Sequence, residues 1–168
     1  MPLSVAETTE WVRSLVDEFD DAACLVLETP DFKVGQWELQ RGLLRLREHA
    51  AAARRHIVVT VHEHHYRGST CPHFAALMLD REAWIALWAN SSDANVTPAV
   101  SKAVDFVCRG KEVRWQEYER QQGDDYTCGL WMMDNIRRWL AGKPLYRTRI
   151  PGDNYAYIQR VQKELVPE

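Results

Sequence analysis

Ile57-Val-Val-Thr-Val61 is the stretch on which the fold turns: a short run, β-branched at every position, bounded downstream by the breaker Arg67-Gly68-Ser69-Thr70. Residues with two heavy atoms on Cβ are stiff in a helix and pack well on a pleated surface, so the run reads as a central strand. Working outward, two more strands are expected at His73–Asp80 and Trp84–Ala89, joined by the turn Asp80-Arg81-Glu82, and another at Val113–Tyr118, which alternates. Upstream, Cys24-Leu-Val-Leu27 ends at Thr29-Pro30 and reads as a strand or a helix end. Helices flank these strands. Thr8-Thr9 is expected to cap the first, through Phe19, because Trp11, Leu15, Val16 and Phe19 recur at helical spacing. Others are expected over Gln36–Arg54, over Pro98–Arg109 (closed by Gly110), and over Cys128–Ala141 (stopped by Gly142 and Pro144). A last docked helix carries Tyr155, Tyr157 and Ile158. With strands in the middle and helices toward the ends, the class is α+β: a small central mixed sheet flanked by helices, in one domain over residues 1–168.

Composition limits what such a domain does. The chain has 168 residues, 46% of them hydrophobic, with seven Trp, which supports an aromatic-rich core without a metal or disulfide staple. A net charge of −3 provides no basic field for nucleic acid or an anionic membrane. No apolar run reaches the roughly 18 residues of a membrane span. The start, Met1-Pro-Leu-Ser-Val-Ala6, lacks the basic and apolar regions of a secretion signal. The four cysteines at 24, 71, 108 and 128 are scattered, so they read as intracellular thiols of the cytoplasm or nucleus, or of a host cell if the chain is a secreted effector. The sequons at Asn90 and Asn95 then carry no glycan. A monomer without a cofactor is expected.

Cys128 differs from the other thiols in position. It follows the loop Gly123-Asp-Asp-Tyr-Thr127 and starts a helix, where the dipole and exposed backbone N–H groups favour a thiolate. A nucleophilic cysteine needs a base, and the base needs an orienting partner. His73 begins one expected strand and Asn90 ends the next, so a hairpin brings them together. Asn90 can accept from the imidazole N–H and select the tautomer. Gln122, six residues before Cys128, can donate to an oxyanion alongside the Cys128 N–H.

These residues resemble the ubiquitin-like-protein-specific cysteine proteases, the SUMO/sentrin proteases and their adenain-like relatives. The resemblance rests on Ile57–Val61 followed by Cys-Pro-His73-Phe-Ala-Ala-Leu-Met-Leu-Asp80, on Trp88-Ala-Asn90-Ser-Ser92, and on Gln121-Gln122-Gly-Asp-Asp-Tyr-Thr-Cys128-Gly129-Leu130-Trp131. It extends over residues 55–146, and loosely over 9–54. It implies a papain-like or adenain-like fold and thiol proteolysis, with Cys128, His73, Asn90 and Gln122 as the catalytic set. The implied partner is a ubiquitin-like modifier or its conjugate, cut after a C-terminal Gly-Gly that threads a tunnel too narrow for side chains. Trp11 matches the tunnel-roof aromatic, with Trp37 as the alternative. Phe74 and Gly129 are implied to line the cleft. Three positions depart from the family pattern: Asn90 stands for Asp, Phe74 for Trp, and Thr127 for the Asp before the cysteine. Asp93 is the alternative third member.

Other readings compete. Asn90 and Phe74 also suit a modifier-binding pseudoenzyme, and the same Cys–His pair could serve an acetyltransferase effector. His62-Glu-His64-His65 with Cys71 and His73 offers zinc-type ligands, but no second ligand pair recurs at finger or ribbon spacing, so it reads as a histidine-rich strand end running to solvent and no metal is expected.

Overall fold

His73–Asp80, buried at every position but the last, is the middle strand of a five-stranded sheet. The computed structural model describes residues 4–29, 36–48, 54–63, 73–91, 95–108, 110–121, 127–147 and 152–165. In chain order the elements are α1 (Val5–Asp17), β1 (Ala22–Thr29), α2 (Gln36–Glu48), β2 (His56–Glu63), β3 (His73–Asp80), β4 (Ile85–Ala89), α3 (Pro98–Val107), β5 (Arg114–Trp115), α4 (Cys128–Leu140) and α5 (Asp153–Leu165). Strand order across the sheet follows chain order. β2, β3 and β4 pair antiparallel, while β1 and β5 join the two sides in parallel. The sheet is therefore mixed and the class α+β, as expected.

β3 is apolar at both parities because both faces of the sheet are covered. Phe74, Ala76 and Met78 share a core with Val12 and Val16 of α1, with the buried side of α4, and with Tyr157, Ile158 and Val161 of α5. Ala75, Leu77 and Leu79 point the other way, into Leu39 and Leu43 of α2 and Val100, Ala103 and Val104 of α3. Each fully buried Leu or Val in these layers contributes about 1.5–3 kcal/mol through removal from water. Among the described residues no helix is long and apolar enough to cross a membrane.

Several boundaries differ from those expected of the sequence. The first helix is capped by Ser4, not Thr8-Thr9. Ser4 and Glu7 form a reciprocal capping box, and Thr8 is a buried member of the helix. Trp84 belongs to the turn, at a left-handed φ of 54°, because Asp80 Oδ1 accepts from the Glu82 and Ala83 N–H groups and draws the chain into a tight loop. The expected strand at 113–118 shrinks to Arg114–Trp115, since only these residues pair with β4. The second helix is described over Gln36–Glu48; of the rest of its expected span only Arg54 is described, and it is non-helical.

α4 is the central helix, and every residue from Cys128 to Ile136 is buried, including Asp134 and Asn135. A buried carboxylate needs partners. Asp134 has Arg137 Nε at 2.7 Å, the Tyr157 hydroxyl at 2.7 Å and Arg138 Nε at 3.3 Å, which locks α5 onto α4. The helix ends in a Schellman turn. Lys143 N donates to Arg138 O and Gly142 N to Trp139 O, with Gly142 at a φ of 70°, so Gly142 stops the helix as the sequence suggests.

Candidate active site

The antiparallel register pairs Ala76 with Ala89, so the residue after β4, Asn90, comes level with Ala75 and diagonal to His73 on the same side of the sheet. The two side chains meet there: His73 Nε2 lies 2.8 Å from Asn90 Oδ1, and both residues are buried. An amide oxygen only accepts, so Nε2 carries the hydrogen and Nδ1 is the ring's basic atom. The partner thus selects the tautomer and aims the ring.

Cys128 reaches the same end of the sheet from the opposite face. It is the first residue of α4, with Thr127 at the N-cap and Trp131 N donating to Thr127 O at 3.0 Å. Its first turn holds no acidic side chain, so the helix itself places no carboxylate against the positive end of its dipole. A Cβ on Gly129 would stand 3.4 Å from Phe74 Cδ2 and 3.5 Å from Thr8 Cγ2. The residue after the thiol therefore rests on the residue after the histidine. The β3–β4 hairpin thus supplies the imidazole–amide pair, and the start of α4 supplies a thiol one residue before the glycine that packs against Phe74.

Two residues expected to line the cleft are buried. Phe74 is 2% exposed and sits beneath Gly129, with its ring edge-on to His62 at 4.8 Å, so it supports the start of α4 from below. Its position on β3 faces the α4 layer, and only the fold shows that this layer covers it. Gly129 likewise turns its missing side chain inward, leaving its backbone as the part that can face a ligand. Trp11 is half-buried against the same core, one turn along α1 from Thr8, which touches Gly129. Gln122 and Asp93 lie outside the described residues, as do His64, His65, Cys71 and the side chain of Trp37. His62, the first member of the histidine-rich stretch, is fully buried, and the members expected to run to solvent lie outside the described residues.

The neighbouring Gln121, to which the sequence pattern assigns no role, is 5% exposed and bonds to two distant segments. Its backbone N–H donates to Ser91 O at 3.1 Å, and its side chain bonds to Asn135 of α4. No local pattern in the sequence marks Gln121; its contacts with distant segments do.

The other described thiols suit packing. Burial pushes the Cys24 thiol up to about 11, with Asp17 adding to and Arg13 opposing that effect, and Cys108 is 5% exposed under α3.

No family model and no curated protein matches the sequence. Solved structures do match the fold. The Chlamydia abortus effector protein ChlaDUB superposes with a TM-score of 0.70 at 11% identity, covering 95% of this chain and 89% of that one. The C-terminal Ulp1 protease domain, solved in complex with Smt3, the yeast orthologue of SUMO, gives 0.63 at 15% identity, covering 97% and 74%. The Chlamydia trachomatis effector Cdu1, solved bound to ubiquitin, gives 0.62 at 14% identity, covering 99% and 96%. The chain thus has the fold of the ubiquitin-like-protein cysteine proteases, the one its motifs resemble. Within that class the matches include a SUMO protease and an effector bound to ubiquitin.

Proposed function

We propose that this protein is a cysteine peptidase that cleaves a ubiquitin-like modifier from a conjugate or precursor after its C-terminal glycine. The observation that carries this reading is the buried 2.8 Å contact between His73 Nε2 and Asn90 Oδ1, at the sheet end where α4 presents Cys128. Two relatives in fold, solved with Smt3 and with ubiquitin, support a modifier as the substrate.

In this mechanism His73 Nδ1 takes the Cys128 proton, and the thiolate sulfur attacks the carbonyl carbon of the terminal glycine. The oxygen of the tetrahedral intermediate accepts from the Cys128 N–H and from Gln122. His73 returns the proton to the leaving amine as the C–N bond breaks. Water, deprotonated by the same imidazole, then attacks the thioester and releases the modifier's carboxylate and the thiol. Asn90 stabilises the imidazolium by accepting its Nε2–H, without a full charge. A modifier-binding pseudoenzyme is the second reading, favoured by that missing charge at Asn90. An acetyltransferase would use the same pair on a small thioester donor.

Ubiquitin and SUMO carrying a C-terminal propargylamide, incubated separately with the protein, test the proposal by intact mass. A covalent adduct on Cys128 that vanishes in Cys128→Ala is expected, and the reacting probe identifies the modifier. Stable but non-covalent binding would favour the pseudoenzyme; transfer of an acetyl group from acetyl-CoA to Cys128, with neither probe reacting, would favour the acetyltransferase.

A further inference from the structure

Gln121 and Asn135 face each other as a reciprocal amide pair. Gln121 Nε2 donates to Asn135 Oδ1 at 3.2 Å, and Asn135 Nδ2 donates to Gln121 Oε1 at 3.0 Å. The second hydrogen on each nitrogen is also used. Gln121 Nε2 donates to Tyr146 O at 2.6 Å, and Asn135 Nδ2 to the Tyr118 hydroxyl oxygen at 3.3 Å. Tyr118 in turn donates its own hydrogen to Gln121 Oε1 at 2.6 Å. Burial pushes the Tyr118 phenol up, so it stays a donor. With all four amide N–H bonds committed, neither side chain can flip without losing partners, and the knot has one arrangement.

What the knot joins gives it a role. Gln121 N–H holds Ser91 O, next to Asn90, and Asn154 Nδ2 at the start of α5 donates to Gln121 O at 3.2 Å. Asn135 lies seven residues along α4 from Cys128, two turns on the same helix face, or about 10 Å. The histidine pair arrives on a hairpin and the thiol on a helix, and the sheet bonds do not fix one against the other. A packed apolar contact tolerates small slides; a saturated amide pair does not.

We propose that Gln121 is a positioning residue for the Cys128 reaction, tying the Asn90–Ser91 strand end, and with it the His73 ring, to the helix that carries the thiol. The proposal rests on the catalytic reading of Cys128, His73 and Asn90, and acts through those residues without touching substrate.

The test needs no substrate. The rate of Cys128 alkylation by iodoacetamide is followed by mass spectrometry from pH 4 to pH 9 in the full chain, in Gln121→Ala, in Tyr118→Phe, and in the swap Gln121→Asn with Asn135→Gln. Gln121→Ala is expected to raise the midpoint of the profile by about one pH unit, which lowers the labelling rate about tenfold on the acid side. Tyr118→Phe, which removes one hydrogen bond, is expected to shift it by about 0.3 unit in the same direction. The swap, which keeps the amide pair and its combined length, is expected to return the midpoint to within about 0.3 unit of wild type. If Gln121→Ala does not fold, Tyr118→Phe decides the matter alone. Unchanged profiles in the variants, beside a low wild-type midpoint, would overturn the positioning role and leave the catalytic reading standing. A shift that the swap fails to restore would also overturn it, since general loosening explains that result. A wild-type midpoint near that of an ordinary thiol, about 8.5, would remove the catalytic reading and this proposal together.

Discussion

His73 Nε2 and Asn90 Oδ1 stand 2.8 Å apart, 17 residues distant in the chain and brought together by the β3–β4 register. An amide selects the tautomer and aims the ring, but adds no negative charge to hold an imidazolium. Asn90→Ala is therefore expected to lower the rate of modifier-fusion cleavage by one to two orders of magnitude, about 1.4–2.7 kcal/mol in barrier. Asn90→Asp keeps the acceptor and adds charge, so it should keep or raise that rate, and Asp93→Ala should change it little. Damage from Asp93→Ala with a silent Asn90→Ala would transfer the orienting role to Asp93.

The thiols should separate in reactivity. Burial holds Cys24 at about 11, so at neutral pH it is protonated and slow to alkylate. Cys108 and Cys128 are both buried, at 5% and 2% exposed, so burial does not rank them; the helix N-terminus at Cys128, which favours a thiolate, does. Peptide mapping after brief iodoacetamide treatment of the native protein should find Cys128 modified first. Equal labelling of all the cysteines would sink its role as nucleophile.

Gly129 permits a graded test of how closely α4 sits on β3. A Cβ there meets Phe74 and Thr8 at 3.4 and 3.5 Å, ordinary contact distances. Gly129→Ala should leave thermal stability within about 1 kcal/mol of wild type, because Ala also favours the helix. Gly129→Leu has no room above Phe74 and should destabilise by about 1–3 kcal/mol through overpacking. A melting temperature for the leucine variant equal to that of the alanine variant would show that the helix lifts away freely.

Asp80 gives the fold an acid-sensitive latch. Burial raises its carboxyl, but the Arg55 guanidinium at 3.0 Å and the Ala83 and Glu82 N–H groups outweigh that and hold it at about 2, below its ordinary value of 3.8. A carboxyl held low in the folded state binds its proton more readily when unfolded. Its contribution is therefore complete above about pH 4 and declines as pH falls toward 2. Urea unfolding at pH 6 and at pH 2.5 should show a smaller pH-dependent loss in Asp80→Asn than in wild type. Identical slopes would mean the Arg55 pair is already compensated by solvent.

Much of this protein was legible before any fold was known. Ile57–Val61 and His73–Asp80 marked paired central strands through β-branching and apolar density, and the cap-like setting of Cys128 followed from the loop before it and Gly142 after its helix. Such signals are local, because propensity, capping and turn chemistry act within a few residues. The placement of Phe74 beneath Gly129 was not local, nor was the capping of α1 by Ser4, where an available hydroxyl and Glu7 together outcompeted Thr8-Thr9. Gln121 makes the distinction clearest. Beside Gln122 it carried no mark of its own, yet it is the residue that meets Ser91, Asn135, Tyr146 and Asn154 from four separate segments. The sequence alone determined the chemistry available, a thiol at a helix start and an imidazole and an amide at strand ends. Only the tertiary structure decided their arrangement, because side chains from distant segments acquire mutual geometry when burial and saturated hydrogen bonds leave their elements one way to pack.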